Sequence, residues 1–576
     1  MLIFLLTNDS TSVDTTKTYE IPEVVVFRDG ISVAGEMIPD FYEQLSTDLL
    51  SSYAIEPFLY GFGRVGAVYN KGRKPSYTEI YLNGRPLHVH PLGYVNQAQL
   101  PIHFFEKVLF GSGVTGAELS AIDFQSSVNR YDRPYSYAHF MFGSFQSNLY
   151  GLDLTRAITN DLGFYLSGQY YKTAGHRENG DAQTMSIYSN LYYNHFIPMR
   201  FNVFYVNNRY GFPGSTQLPL GGRQEDRKLD ISYTFDIDNA AGVLCYDYQN
   251  IEYVDMANGK SLAVRTDQFG AFVARYDTLG DVIIDYGVQG FLTALDGGGY
   301  LPTGLSEAEI WTRAKLNLER FFVQAGSRIC MANYHETFLC PKAEVGVNIT
   351  GSMYLSAAVS RDFRVPSDFE QWAPFDTLIP YFNVAGNSSL EPEYCWVKEI
   401  GLRSEGLLLN YYRLDYTDYV AVQIDSGHNP RYVNLSSWET SGIEGFVRYP
   451  LRLYNADSSA MTEILFSGSF NALISGDSIP EVPVQCGDAV VSIKRNTKRF
   501  SFGVALRGEY AGVSRDIAGE EYPGYSVYSV AGLIKFLSLS CVVRLNNVFD
   551  AAYAYVPYYP MPPRNYDVSV KWEFWD

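Results

Sequence analysis

Two histidines, His88 and His90, put their imidazoles on one face of an extended segment. Imidazole is a common metal ligand, but two donors without a third rarely make a site. No HExxH and no His/Cys cluster accompanies them among the eight histidines, so an exposed pair without a metal is the plainer reading. Tyr94, four residues on, offers a ring that can stack on an aromatic or cationic solute. The six cysteines, Cys245, Cys330, Cys340, Cys395, Cys486 and Cys541, contain no CxxC, which argues against zinc or a thiol redox centre. Cys330 and Cys340 flank a step between two alternating segments, where a disulfide and two reduced thiols are equally compatible. Gly111, Gly113 and Gly116 suggest a phosphate loop until one looks for Gly-Lys-Ser/Thr, which does not follow. Carboxylates are abundant, yet none stands beside a histidine or nucleophile in a catalytic pattern. The residues therefore point to binding, with no enzyme activity and no cofactor expected.

The elements that would carry these groups are strands. Tyrosine (47) and phenylalanine (36) are heavily used while charged residues make up only 19%, and no apolar run is long enough for a spanning helix. A soluble all-β protein and a membrane barrel both fit, because barrel strands hide apolarity in alternation. Tyrosines favour the barrel, since rings with polar tips suit a membrane–water interface. The net charge of −19 argues against nucleic acid. From about residue 129, alternating stretches such as FYLSGQYYKT, DISYTFDI and FSFGVALRGEY recur to the end, separated by turn residues. At roughly 9–11 residues per bilayer strand, this span holds 22 strands with short connections, or 16 to 18 with longer ones. Residues 7–18 are polar and read as disordered. Before them, Met1–Leu6 reads as a signal remnant or a disordered N-terminus. Asp40–Leu50 has apolar residues at helical spacing, and Asn83-Gly84 is a tight-turn signal.

Several motifs then choose among these architectures. Residues 353–372 read MYLSAAVSRDFRVPSDFEQW, an alternating strand that exits at Arg364-Val365-Pro366. The chain returns through GNSSLEPEYCWVKEIG, residues 386–401. Near the end stand Leu545–Asp550, Tyr553, Pro560, Pro563 and Arg564. The last strand alternates Tyr566, Val568, Val570, Trp572 and Phe574 against Asp567, Ser569, Lys571 and Glu573. Earlier, Lys71-Gly72 and Asn83-Gly84 precede LPIHFFEKVLFGSGVTGAEL, with Glu106 and Val108 before its glycines. Together these resemble the TonB-dependent outer-membrane receptors over nearly the whole chain.

The resemblance implies a membrane all-β fold: a 22-stranded antiparallel transmembrane β-barrel with a small N-terminal α+β plug domain inside the lumen. It divides the chain into 1–18, a plug at 19–128 and a barrel at 129–576. It places His88, His90 and Tyr94 near plug apices that touch ligand. It implies plug–barrel contacts from Lys71, Arg73, Arg85 and Glu106, with Asp362 and Glu399 on the wall, although lysine at the Arg-Gly place lacks the bidentate fork. Glu23, Val24, Val25 and Val26 would be the energy-coupling segment, pairing by β-augmentation with a TonB-type energy-transducing protein in the periplasm, or else a plain first strand of the plug. The other implied partners are outer-membrane lipid, the barrel assembly machinery and a small-molecule ligand such as a ferric siderophore or cobalamin, with no nucleic acid. The rival readings are a passive or permanently corked barrel or adhesin, and a soluble β-rich enzyme or binding module.

Overall fold

The structure is a computed structural model. It describes residues 56–59, 66–69, 73, 75–87, 93–96, 99–100, 105–111, 121–126 and 135–575, apart from 298–303, 333–336, 351–352, 379–382, 405 and 455–459. Alternation dictates the architecture. Leu506 is 55% exposed on the outer face, while Arg507 beside it is 8% exposed on the inner face. A sheet apolar outside and polar inside must close on itself if it is to sit in lipid without unpaired backbone.

It does close. Twenty-two antiparallel strands, from Tyr135–Gly143 to Asn565–Trp575, form one barrel. The last strand pairs with the first, with Val570 opposite Phe140. In that last strand Tyr566 and Trp572 are exposed outward, while Asp567 and Glu573 pair with Arg544 and Lys535. Successive connections alternate between two ends. One end has turns of two to five residues; the other has connections of three to twenty-eight, the longest being 365–392. Strands run from 8 residues (Leu539–Asn546) to 25 (Pro430–Tyr454), so many exceed the bilayer length assumed from sequence. A hydrogen-bonded ladder can continue past the lipid, and the connections are correspondingly shorter.

Inside the barrel, β1 (Glu56–Leu59) and β2 (Gly66–Tyr69) pair as a hairpin. A four-stranded sheet is built from β3 (Glu79–Leu82), β4 (Arg85–Pro86), β5 (Phe105–Gly111) and β6 (Ala121–Ser126), in the order β4-β3-β6-β5. Asn83 (φ 53) and Gly84 (φ 77) make the tight turn between β3 and β4, as the sequence signals. Ile80, Leu82, Ile122 and Phe124 of this sheet share one buried cluster with Tyr188, Phe204, Val206 and Ile251 of the barrel wall. The helix expected over Asp40–Leu50 lies outside the described residues.

Candidate functional site

The inner sheet is fastened to the wall by two sets of charges. In the first, Arg73 donates through Nη2 to Asp362 Oδ2 at 3.1 Å, and Arg328 donates to the other oxygen of Asp362 at 2.7 Å. Arg328 also reaches Glu79 of β3 at 3.2 Å, and Tyr81 donates to Glu79 at 2.5 Å. Burial raises the Glu79 carboxyl above its usual range, while Arg328 works against the shift. The Arg73 guanidinium lies 4.4 Å from the centre of the Tyr77 ring. In the second set, Arg85 of β4 donates to Asp247 at 2.7 Å and forms an ion pair with Asp230.

The strand exit at 364–366 is a knot. Arg364 grips Glu370 through two nitrogens, at 2.5 and 3.1 Å, and also Glu393, the first residue of the return strand. Ser367 caps the short helix Asp368–Trp372 in a capping box with Glu370. Gly93 (φ +76) sits against this cap: a Cβ there would lie 2.8 Å from Ser367 Cβ. That contact sets Tyr94 beneath the long connections. Tyr94 packs against the cluster containing Leu87, Val95 and Phe369, and also against Ile479, Val482 and Val556 from two other connections.

Between the inner sheet and the 365–392 connection lies a cavity of about 770 Å³. Tyr77, Glu79, Leu87 and Tyr94 line one side; Glu309, Arg328, Asp362 and Trp372 line the other. This is the size range of small-molecule sites. Among the described residues no group of three or more His, Cys, Asp or Glu side chains is arranged to hold a metal ion. All six cysteines are free thiols, Cys330 and Cys340 included, and Cys330 donates to Glu309 at 3.2 Å.

Of the residues singled out from sequence, the structure brings Arg73 to Asp362, sets Arg85 on Asp230 and Asp247, and places Tyr94 at the cavity. Glu399 accepts from Asn410 at 2.9 Å within the wall. Glu106 belongs to β5, but its side chain lies outside the described residues, as do Lys71, His88, His90 and Glu23 to Val26. Sequence reasoning missed Glu79, Arg328, Asp230, Asp247, Arg364 and Glu393. The Arg364–Glu393 pair was within reach, because both residues sit in the motif that was read.

A closed antiparallel barrel with lipid-ready alternation and a sheet held in its lumen defines a plugged outer-membrane barrel. The family described as TonB dependent receptor-like, beta-barrel matches residues 111–548. The chain belongs to that family, whose members are outer-membrane receptors and transporters and not enzymes. No curated protein matches the sequence. Solved structures with the same fold include the ferric enterobactin receptor PfeA of Pseudomonas aeruginosa, at 14% identity and TM-score 0.71, covering 95% of this chain and 98% of that one. The siderophore receptor PirA of Acinetobacter baumannii aligns at 14% identity and TM-score 0.72, covering 92% and 96%. The copper transporter OprC aligns at 13% identity and TM-score 0.75, covering 95% and 98%.

Proposed function

We propose that this receptor captures a scarce extracellular solute in the cavity beside Tyr94 and imports it by energy-coupled movement of the plug. The observation that carries the reading is the cavity's position. It is bounded by the inner sheet on one side and by the longest connection on the other. A solute held there contacts the element that has to move. Transport then requires that the solute bind the two plug positions with different affinity. No covalent chemistry is involved.

In this reading residues 19–128 are the plug, 129–576 the barrel, and the end with long connections faces outward. His88, His90 and Tyr94 contact the solute. Glu23 to Val26 pair with a TonB-type protein in the periplasm. Similar structures belong to siderophore receptors and a copper transporter, so a ferric chelate or another metal complex is a reasonable cargo, with cobalamin the further candidate. The barrel would be inserted by outer-membrane assembly machinery and surrounded by lipid.

The test is deletion of residues 1–28 in cells supplied with labelled ferric chelates and cobalamin. Uptake that collapses while surface binding persists supports energy coupling. Uptake unchanged by the deletion favours a passive or permanently corked barrel.

A further inference from the structure

The charge of the cavity and of its approach bears on what the cavity takes. Six carboxylates line it, against two guanidinium groups, Arg328 and Arg364. Both arginines are engaged by carboxylates: Arg328 by Asp362 and Glu79, Arg364 by Glu370 and Glu393. Including Arg73, Glu370 and Glu393 behind the wall makes eight carboxylates against three guanidinium groups among the described residues. The wall is therefore negative even after its internal pairing.

The approach has the same sign. The connections at the long end, 144–146 through 547–564, carry fourteen carboxylates and three arginines, Arg177, Arg515 and Arg564. The 28-residue connection at 365–392 has Asp368, Glu370, Asp376 and Glu391 and no basic residue at all. A cleft of one sign with low-dielectric walls concentrates ions of the other sign and repels its own.

Trp372, 44% exposed at the cavity, and half-buried Tyr94 add ring faces of the kind that attract cations.

We infer that the solute taken by this cavity carries net positive charge, as an ammonium-bearing molecule or a cationic metal chelate, and is not a polyanionic chelate. The inference rests on the receptor reading above and adds the charge class of its cargo.

The test uses three ferric chelates of similar size on the detergent-purified full chain, followed by tryptophan quenching. They are a linear trihydroxamate with one free ammonium, a neutral cyclic trihydroxamate and a trianionic tris-catecholate. The expected result is saturable binding that is tightest for the cationic chelate. That binding should weaken about threefold or more between ~0.05 and ~0.5 M salt, since screening shortens the reach of the acidic rim. Glu391→Gln and Glu307→Gln should each weaken the cationic chelate by a few-fold and leave the trianionic one unchanged or improved. The salt series on the unmodified chain decides the matter even where a variant does not fold. Catecholate binding as tight as or tighter than the cationic chelate overturns the charge assignment and leaves the receptor reading standing. Silence from all three overturns the assignment and removes support from the receptor reading as well.

Discussion

Asp362 accepts from two arginines at once, Arg73, which precedes the inner sheet in the chain, and Arg328 of the wall. Breaking a buried pair from one side leaves charge without compensation, at about 3–5 kcal/mol. Asp362→Ala should therefore loosen the inner sheet, raising hydrogen exchange in 73–87 while the barrel strands stay protected. Equal protection in 73–87 would show that the pair holds nothing in place. At Gly93, alanine would meet Ser367 and be held at positive φ. Gly93→Ala should displace Tyr94 and weaken ligand binding without lowering the amount of folded barrel. The two faces of a strand separate just as sharply. Leu506→Arg puts a charge on the lipid face and should cost about 2–4 kcal/mol in bilayer unfolding if the site lies near midplane. On a water-facing surface the same change would be close to neutral. At this scale the sequence named Arg73, Arg85 and Asp362 only through family motifs. Their pairing spans 162 residues (Arg85–Asp247) and 289 residues (Arg73–Asp362) of chain, and no local pattern encodes such a distance.

Strands were the most legible elements, because a period of two is written directly into barrel sequences. The exit read at Arg364 coincides with the end of strand Met353–Arg364, where Pro366 stops the ladder and Ser367 starts a helix. Strand length was not legible, since pairing beyond the lipid leaves no hydrophobic trace. The connections were the least legible, because their packing depends on one another. Glu481 shows why. It lies in connection 477–484, with positive φ, and its backbone N–H donates to the Arg515 carbonyl of the next connection. Burial first, and Asp516 second, push its carboxyl up to about 7 from an ordinary 4.5. Tyr559 and Tyr432 face it from two further elements. The packed arrangement thus binds a proton more readily than the open one. Its favour is full below about pH 4.5, declines as pH rises toward 7, and is then lost. Hydrogen exchange over 477–484, corrected for intrinsic rate, should be faster at about pH 8 than at about pH 5. Glu481→Gln should flatten that difference; a difference that survives the substitution would assign it to another group.

For the molecule as a whole, closure decides whether the barrel exists. Each barrel strand is paired on both sides, and the ring is completed by a single contact between the last and first barrel strands, Asn565–Trp575 on Tyr135–Gly143. That contact is also the one with the greatest separation in sequence, so no local hairpin supplies it. Removing residues 565–576 would leave two edges, one on Tyr135–Gly143 and one on Leu539–Asn546, each with unpaired backbone groups facing lipid. Every such group costs several kcal/mol in hydrocarbon, and a strand-length edge exposes several of them. This exceeds the roughly 5–15 kcal/mol by which folded proteins are usually stable. Loss should therefore be all-or-none and not graded. Truncation after residue 564 should abolish the heat-modifiable band shift that marks a folded barrel, whereas Lys571→Arg, which keeps both strand and charge, should preserve it. A truncated chain that still gave the full shift would mean that the remaining 21 strands can re-register and close without the last, and that the pairing of the last barrel strand with the first is dispensable.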